Sequence, residues 1–224
     1  MTESTLLAEC ERLGTDMMRR HHAKNGWEGP CHGVKMGDLR ALAKPLKKNT
    51  ALARVLWATG VLDAMLVAVL IVKPAELSAE DVGDMVSRAN YNWLADWVNT
   101  HVVKVHAAKE RFRTEWIDHT DPWRRRAAWS LTVERLSKDP GALDPSALLE
   151  KIDHELSDAP EAARWTMNYC LAEIGIRHAE LRDRAIAIGE RHGAYRDYPT
   201  SKGCTSPYAP TWIAAMVARE GTPT

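Results

Sequence analysis

The segment Tyr91–Trp97 (YNWLADW) places one carboxylate among three aromatic side chains within two turns of a predicted helix. Asn92 and Asp96 are four residues apart and share one helix face, while Trp93 and Trp97 share the neighbouring face. An aspartate inside a helix is unfavourable unless it has a partner or a task. A carboxylate beside aromatic rings can stabilise a developing cation. In the alternative, a packing interpretation, both indoles face the core and Asp96 faces solvent.

A run of three arginines, Arg124–Arg126, lies between Trp123 and Trp129. The helix dipole opposes cations at a helix start, so an anionic partner, either phosphate or carboxylate, would explain the run. Further basic and aromatic side chains recur along the chain: Lys35, Arg40, Lys44, Lys47, Lys48, Arg164, Tyr169, Arg177, Arg182 and Arg184. This recurrence suits a surface that follows a polyanion backbone. Structural ion pairs and solvated faces are the alternatives.

Metal and disulfide chemistry are weakly indicated. Four possible zinc ligands lie close in sequence, but their spacing fits no common zinc finger, and ordinary side chains are the favoured interpretation: His21, His22, Cys31 and His32. The four cysteines form no CxxC pair and no framework spacing. We therefore expect neither a metal centre nor a disulfide scaffold.

The composition is that of a globular protein with an excess of tryptophan. The 224 residues include 30 Lys and Arg against 30 Asp and Glu, so the formal net charge is zero. This balance excludes a uniformly basic nucleic-acid-binding protein but allows a basic face opposite an acidic one. Nine Trp stand against five Tyr and one Phe, a bias that bulk alone does not explain. The N-terminus shows no secretory pattern, and the longest apolar stretch, 61–72, is too short to span a bilayer; we expect a cytoplasmic protein.

Helical signals dominate, which predicts an all-α fold. Ala and Leu far outnumber Ile, and no segment shows sustained period-2 alternation. Capping residues predict helix starts at Ser78, Asp121, Asp144 and Asp158. The predicted helices are 3–22, 36–48, 50–59, 61–73, 78–89, 91–105, 107–119, 122–138, 145–157, 160–177, 178–192 and 208–219.

The predicted helices form repeats about 30–40 residues long, the range of HEAT-type helix pairs. The second helix of successive pairs begins near Val61, Asn92, Trp123 and Ala163. Stacked pairs bury apolar faces that one pair cannot bury alone. The pattern predicts a right-handed solenoid of HEAT-like antiparallel helix pairs with a concave face. We expect a single domain over residues 1–224, with 193–224 as a C-terminal cap.

Several segments stand in an order and spacing that characterise a known family: Gly33–Lys44, Leu56-Trp57, Tyr91–Trp97, Trp123, Arg125–Ala128 and Met167–Gly175. Together they resemble AlkD-type DNA alkylation repair proteins, which are HEAT-like repeat alkylpurine DNA glycosylases. The resemblance covers roughly residues 30–190. The segment Gly203–Pro210 looks like a subfamily tail.

The resemblance implies excision of N3- and N7-alkylated purines from double-stranded DNA. Asp96 matches the catalytic carboxylate, and Arg126 matches an arginine that contacts the DNA backbone. The family has two tryptophans that line the cleft. At the first of these positions this sequence has Asn92, with Trp93 next to it, and at the second it has Tyr169. A cleft tyrosine of the family has no counterpart near His21 and His22. Further DNA contacts are expected from four neighbouring residues: Arg125, Trp123, Lys35 and Arg164.

The implied reaction explains why a carboxylate and aromatic rings would be needed. Alkylation makes the purine a cationic leaving group, and bond cleavage moves positive charge onto the deoxyribose. Asp96 would stabilise that oxocarbenium ion and position a water molecule. No cofactor is required, and we expect a monomer. The alternatives are a non-catalytic DNA-binding paralogue and a HEAT-like scaffold for a protein partner.

Overall fold

The computed structural model describes residues 2–220, in which all regular structure is helical. The α-helices are α1 (Glu3–Leu13), α2 (Asp16–Lys24), α3 (Met36–Ala43), α4 (Thr50–Ala58), α5 (Leu62–Ile71), α6 (Ala79–Arg88), α7 (Asn92–His101), α8 (Lys109–Glu115), α9 (Pro122–Lys138), α10 (Pro145–Glu155), α11 (Glu161–Arg177), α12 (Arg182–His192) and α13 (Ala209–Glu220). Short 3-10 turns lie at Lys44–Leu46, Pro74–Glu76, Val103–Val105, Pro140–Ala142 and Ala179–Leu181. None of the described helices is long and apolar enough to cross a membrane.

Side-chain caps fix most of the predicted helix starts. Ser78 caps α6 in a capping box with Asp81. Asp121 accepts the first backbone N–H groups of α9, and Asp144 does the same for α10. The predicted cap at Asp158 is wrong: α11 begins at Glu161 after Pro160, with no side-chain hydrogen bond at the cap.

The single helix predicted over 3–22 is also wrong, because the chain breaks between Leu13 and Asp16. Thr15 caps α2 through its hydroxyl, and its backbone N–H donates to the carbonyl of Gly33 at 2.9 Å. Gly14 lies so close to residues 32–33 that a Cβ at this position would be 2.1 Å from the carbonyl oxygen of His32. A long-range contact with residues 32–33 therefore separates α1 from α2.

The described helices form two compact units that divide after Lys109. In the first unit, α5 is buried on all sides and packs against α1, α3, α4 and α7. In the second unit, α11 takes the central place and packs against α9, α10, α12 and α13. A helix that is apolar all round belongs in a core, and α5 meets this requirement at every position except Asp63. α11 is central although it also buries the polar residues Asn168 and Glu173.

Consecutive helices pack as pairs in both units, as the repeat pattern predicts. The pairs in contact are α4 with α5, α6 with α7, α10 with α11, and α12 with α13. Each of the four predicted second-helix segments opens a helix, namely α5, α7, α9 and α11. The segment between α12 and α13 is a loop, which begins where Gly193 ends α12 in a left-handed conformation (φ 60°).

Candidate nucleic-acid interface

Helix α7 carries the carboxylate segment and presents it at the surface of the first unit. Leu94 and Val98 are buried and anchor the helix. Asp96 is exposed, as is Asn92 one turn earlier, whereas Trp93 and Trp97 are half-buried. The helix therefore presents an accessible carboxylate, with both indoles on the neighbouring helix face.

Trp93 lies in a cluster of rings that the sequence did not indicate. The ring of His21 meets Trp93 edge-on at 5.8 Å between centroids, and His22 lies 5.0 Å from the same indole. His22 Nδ1 is 3.1 Å from the hydroxyl of Tyr91, whose ring also contacts Trp27 at 5.9 Å. Burial lowers the pKa of His22 and raises the pKa of Tyr91. Two imidazoles thus stand beside Trp93, in the region where the family tyrosine has no counterpart.

The residues considered as zinc ligands have other roles in this arrangement. His22 is bonded to Tyr91, and Cys31 has its pKa raised to about 12, chiefly by burial. Within residues 2–220, no group of three or more His, Cys, Asp or Glu side chains is placed to hold a metal ion.

A basic hollow of about 390 Å³ lies on α3 and the turn that follows it. It is lined by Arg40, Ala43, Lys44, Lys47, Lys48 and Leu70. The Arg40 guanidinium lies over the ring of Trp97 at 5.1 Å, so the hollow borders α7. Burial lowers the pKa of His101, and the charges of Lys48 and Arg40 lower it further. This part of the first unit is therefore electropositive, as an anion-binding surface requires.

Lys35, a predicted DNA contact, is exposed immediately before α3, and a buried carboxylate positions this segment. Asp63 on α5 is 1% exposed and accepts the backbone N–H groups of His32, Gly33 and Val34 at 2.6, 3.3 and 2.8 Å. Gly33 adopts φ 79°, where a Cβ would lie 2.6 Å from the Thr15 carbonyl oxygen. The buried carboxylate of Asp63 therefore holds the backbone just before Lys35 in place.

The arginine run on α9 is largely committed to internal partners in the second unit. Arg125 forms an ion pair with Glu155 at 2.6 Å. Arg126 is 4% exposed, and its guanidinium donates to the carbonyl of Ala162 at 3.1 Å. Trp123 is half-buried at the start of the helix. The ion-pair alternative therefore applies to Arg125, while Arg126 is held by the start of α11.

Arg164 ties together the turn between α10 and α11. Its guanidinium donates to the carbonyls of Ser157 and Ala159 at 3.1 and 2.8 Å, and to the carboxylate of Glu161 at 3.3 Å. The side chain remains partly exposed at 33%. A phosphate contact by Arg164 would add to these bonds or replace the one to Glu161.

Tyr169 is half-buried, and one face of its ring is covered. The ring stacks on Trp212 of α13 with centroids 4.9 Å apart and an interplanar angle of 9°. Burial raises the pKa of Tyr169. The neighbouring Asn168 donates to the carbonyl of Pro207 at 2.8 Å, so the tail is fastened to α11 beside Tyr169. Spacing along the sequence did not associate Trp212 with Tyr169.

A second cluster of rings, the tail aromatic cluster, consists of Trp165, Tyr195 and Tyr198. Trp165 contacts Tyr195 at 5.1 Å and Tyr198 at 5.5 Å between centroids. Trp165 of α11 therefore packs against the loop between α12 and α13, which carries both tyrosines. The only signal in the sequence was the presence of two tyrosines, three residues apart, in a short loop.

Paired helices around two central helices define a helical-repeat protein, and an electropositive surface beside half-buried indoles suits nucleic acid. The chain belongs to the family described as DNA alkylation repair enzyme, whose model matches residues 5–213. This confirms the predicted family, and with it a role in DNA repair and DNA binding.

Comparison with solved structures identifies the fold. One similar structure comes from a new family of proteins related to the HEAT-like repeat DNA glycosylases, with affinity for branched DNA structures. It shares 27% sequence identity with this chain, covers 98% of this chain and 95% of its own, and superposes with a TM-score of 0.79. The predicted all-α, HEAT-like repeat fold is therefore confirmed. No curated protein matches the sequence.

Proposed function

We propose that this protein binds double-stranded DNA that carries alkylated purines and hydrolyses their N-glycosidic bond, as a monofunctional DNA glycosylase. The observation that carries the proposal is the position of Asp96 in a chain of the DNA alkylation repair family. Its carboxylate is exposed on α7, with the indoles of Trp93 and Trp97 on the neighbouring helix face. The match of Asp96 to the family's catalytic carboxylate, expected from the sequence, supports the proposal.

The chemistry requires little more than charge stabilisation and a water molecule. An N3- or N7-alkylated purine carries positive charge and leaves as the neutral base when the glycosidic bond breaks. The positive charge then lies on the deoxyribose, and Asp96 lowers the energy of that oxocarbenium ion. Each aromatic face contributes about 0.5–2 kcal/mol to cation stabilisation. Water adds to the sugar and loses a proton, so no cofactor takes part.

Binding to DNA is supported by cations in both units. The first unit offers Lys35 and the basic hollow, whose exposed lysines can neutralise phosphates. In the second unit the support comes from the partly exposed Arg164 and from Trp123. Arg125 is paired with Glu155 and Arg126 is buried against Ala162, so a phosphate contact by either arginine requires that its present bond be exchanged. Phosphate contacts of this kind fix the position of the protein on DNA without reading sequence.

The direct test is release of 7-methylguanine and 3-methyladenine from methylated duplex DNA under single-turnover conditions. We expect the wild type to release at least one of these bases. Asp96→Asn keeps the shape of the side chain and removes its charge, so we expect a loss of about 100-fold or more in the excision rate with DNA binding retained. Glu80→Gln, which removes an exposed carboxylate of α6, is the matched control and should excise at the wild-type rate.

Absence of release at high enzyme concentration, with DNA binding intact, would reject the glycosylase proposal. Equal rates for the wild type and Asp96→Asn would reject Asp96 as the catalytic group. Failure of the wild type to bind any DNA would reject the DNA-binding role as well and favour the protein-scaffold alternative.

A second candidate function is non-catalytic recognition of branched DNA. Asn92 has an amide where the family has an indole, and Tyr169 has one ring face covered by Trp212. Both changes reduce the aromatic surface available to a sugar cation. The similar solved structure belongs to a family with affinity for branched DNA. Tighter binding to a four-way junction than to a matched duplex, without base release, would support this candidate. The cytoplasmic location, the monomeric state and the single-domain organisation remain predictions.

A further inference from the structure

The tail aromatic cluster has an exposed ring in a well-anchored loop. Tyr198 is 47% exposed, although its ring contacts Trp165 and Tyr195 at 5.5 and 6.0 Å. An isolated exposed tyrosine would need no explanation, but three aromatic rings in mutual contact form a surface. Trp165 and Tyr195 are both half-buried, so they support the ring of Tyr198 from below.

Several bonds fix the loop that carries the two tyrosines. Tyr195 adopts a left-handed conformation (φ 61°), which is unfavourable for a residue with a side chain. Its hydroxyl donates to the carboxylate of Glu161 at 2.9 Å, and this bond to α11 holds the conformation. Arg196 donates to the carbonyl of Glu190 at 2.9 Å and lies 5.4 Å from the ring of Tyr208. The rings are therefore preorganised, which lowers the entropy cost of binding a ligand to them.

A partly exposed cation, Arg164, lies beside the cluster, together with the carboxylate of Glu161. Burial raises the pKa of the Tyr195 hydroxyl, its hydrogen bond to Glu161 raises the pKa further, and the positive charges of Arg164 and Arg126 act in the opposite direction. Two guanidinium groups and one carboxylate thus act on the same hydroxyl. Arg164 immediately precedes Trp165 in the sequence, and its side chain remains partly exposed. Aromatic rings beside guanidinium groups are the combination that binds single-stranded nucleic acid.

We infer that the tail aromatic cluster stacks an unpaired base of branched DNA on the ring of Tyr198, while Arg164 contacts a flanking phosphate. A base inside a duplex is covered on both faces by its neighbours, so an exposed ring can stack only on a base that has lost one of them. Branch points and flaps supply such bases. This inference rests on the DNA-binding part of the proposed function and is independent of catalysis by Asp96.

The test measures binding of the full chain to a flap junction that carries 2-aminopurine at the branch point, and to a matched continuous duplex. The variants are Tyr198→Ala, which removes the ring, and Tyr198→Phe, which keeps it. Stacking of one base on an aromatic side chain corresponds to a loss of about five-fold or more on alanine substitution. We expect this loss for Tyr198→Ala on the junction and unchanged affinity for the duplex. Tyr198→Phe should bind both as the wild type does, and wild-type binding should quench the 2-aminopurine fluorescence.

Controls keep the outcomes separate. Met17 is 64% exposed and does not belong to the cluster, so Met17→Ala removes a comparable exposed apolar side chain and should leave junction affinity unchanged. The inference is overturned if Tyr198→Ala binds the junction like the wild type, or loses junction and duplex affinity equally. It is also overturned if the wild type binds no DNA, and in that case the proposed function fails with it. Retained DNA binding with an unaffected Tyr198→Ala variant rejects the inference alone.

Discussion

Asp63 should hold the segment 32–34 in place, and its replacement by asparagine tests that role. The two carboxylate oxygens accept three backbone N–H groups: His32 and Gly33 donate to Oδ2, and Val34 donates to Oδ1. Asparagine has nearly the same shape, but only one of its two terminal atoms accepts hydrogen bonds. The other becomes an NH2 group that faces at least one backbone donor. At least one bond is lost, and the rest lose the contribution of a charged acceptor.

The magnitude follows from the number of bonds and their burial. A hydrogen bond to a charged group contributes about 1.5–3 kcal/mol, and a buried donor left without an acceptor costs about 1–3 kcal/mol. Asp63 is 1% exposed, so water cannot replace the lost acceptor. We expect Asp63→Asn to lower the free energy of unfolding by about 2–4 kcal/mol, a large part of the 5–15 kcal/mol of an ordinary domain.

Urea unfolding followed by circular dichroism measures this effect. With a denaturant slope of about 2 kcal/mol/M, the midpoint should fall by about 1–2 M for Asp63→Asn. Asp16→Asn is the matched control, because Asp16 is an exposed partner of Arg19 at 2.6 Å and exposed ion pairs contribute little. If Asp63→Asn shifted the midpoint no more than Asp16→Asn does, the buried carboxylate would not anchor the segment and the reasoning would be refuted.

Two further predictions concern charge. The double variant Lys44→Gln/Lys47→Gln removes two exposed cations of the basic hollow, so the slope of log K for DNA binding against log salt should become shallower by up to about 1.8. The control Lys73→Gln/Lys138→Gln removes two lysines that are paired with Glu76 and Glu134, and it should keep the wild-type slope. Equal slopes for the two double variants would show that the basic hollow does not contact the DNA phosphates. The second prediction concerns His22, whose pKa burial lowers below its ordinary value of 6.5. The imidazole of the unfolded chain then takes up a proton more readily than that of the folded chain. The stability that the folded state gains from a neutral His22 is therefore fully present above pH 6.5 and is lost as the pH falls. The urea midpoint should decrease from pH 7.5 to 5.5 less steeply in His22→Gln than in the wild type, and identical pH profiles would contradict this.

The candidate carboxylate site could be read from the sequence because its pattern is local. Asn92 and Asp96 share a face of α7 through helix geometry alone, and Leu94 and Val98 bury the opposite side. The caps at Ser78, Asp121 and Asp144 are equally local, since each side chain bonds to a backbone group two or three residues away. The order of such segments was sufficient to predict the family and the fold.

The features that the sequence did not predict depend on contacts between residues that are distant in sequence. The break between α1 and α2 comes from the bond between Thr15 and Gly33, and the cluster around Trp93 joins α2 to α7. The stacking of Tyr169 on Trp212 joins residues 43 positions apart. Periodicity and capping describe the few residues around a position, whereas these pairs depend on how whole helices and loops pack. The sequence by itself determined most of the helices, their pairing and the helix face on which Asp96 lies. Only the tertiary structure showed that most of the arginines have internal partners and that the tail supplies an exposed aromatic surface, because burial and long-range contact are properties of the packed chain.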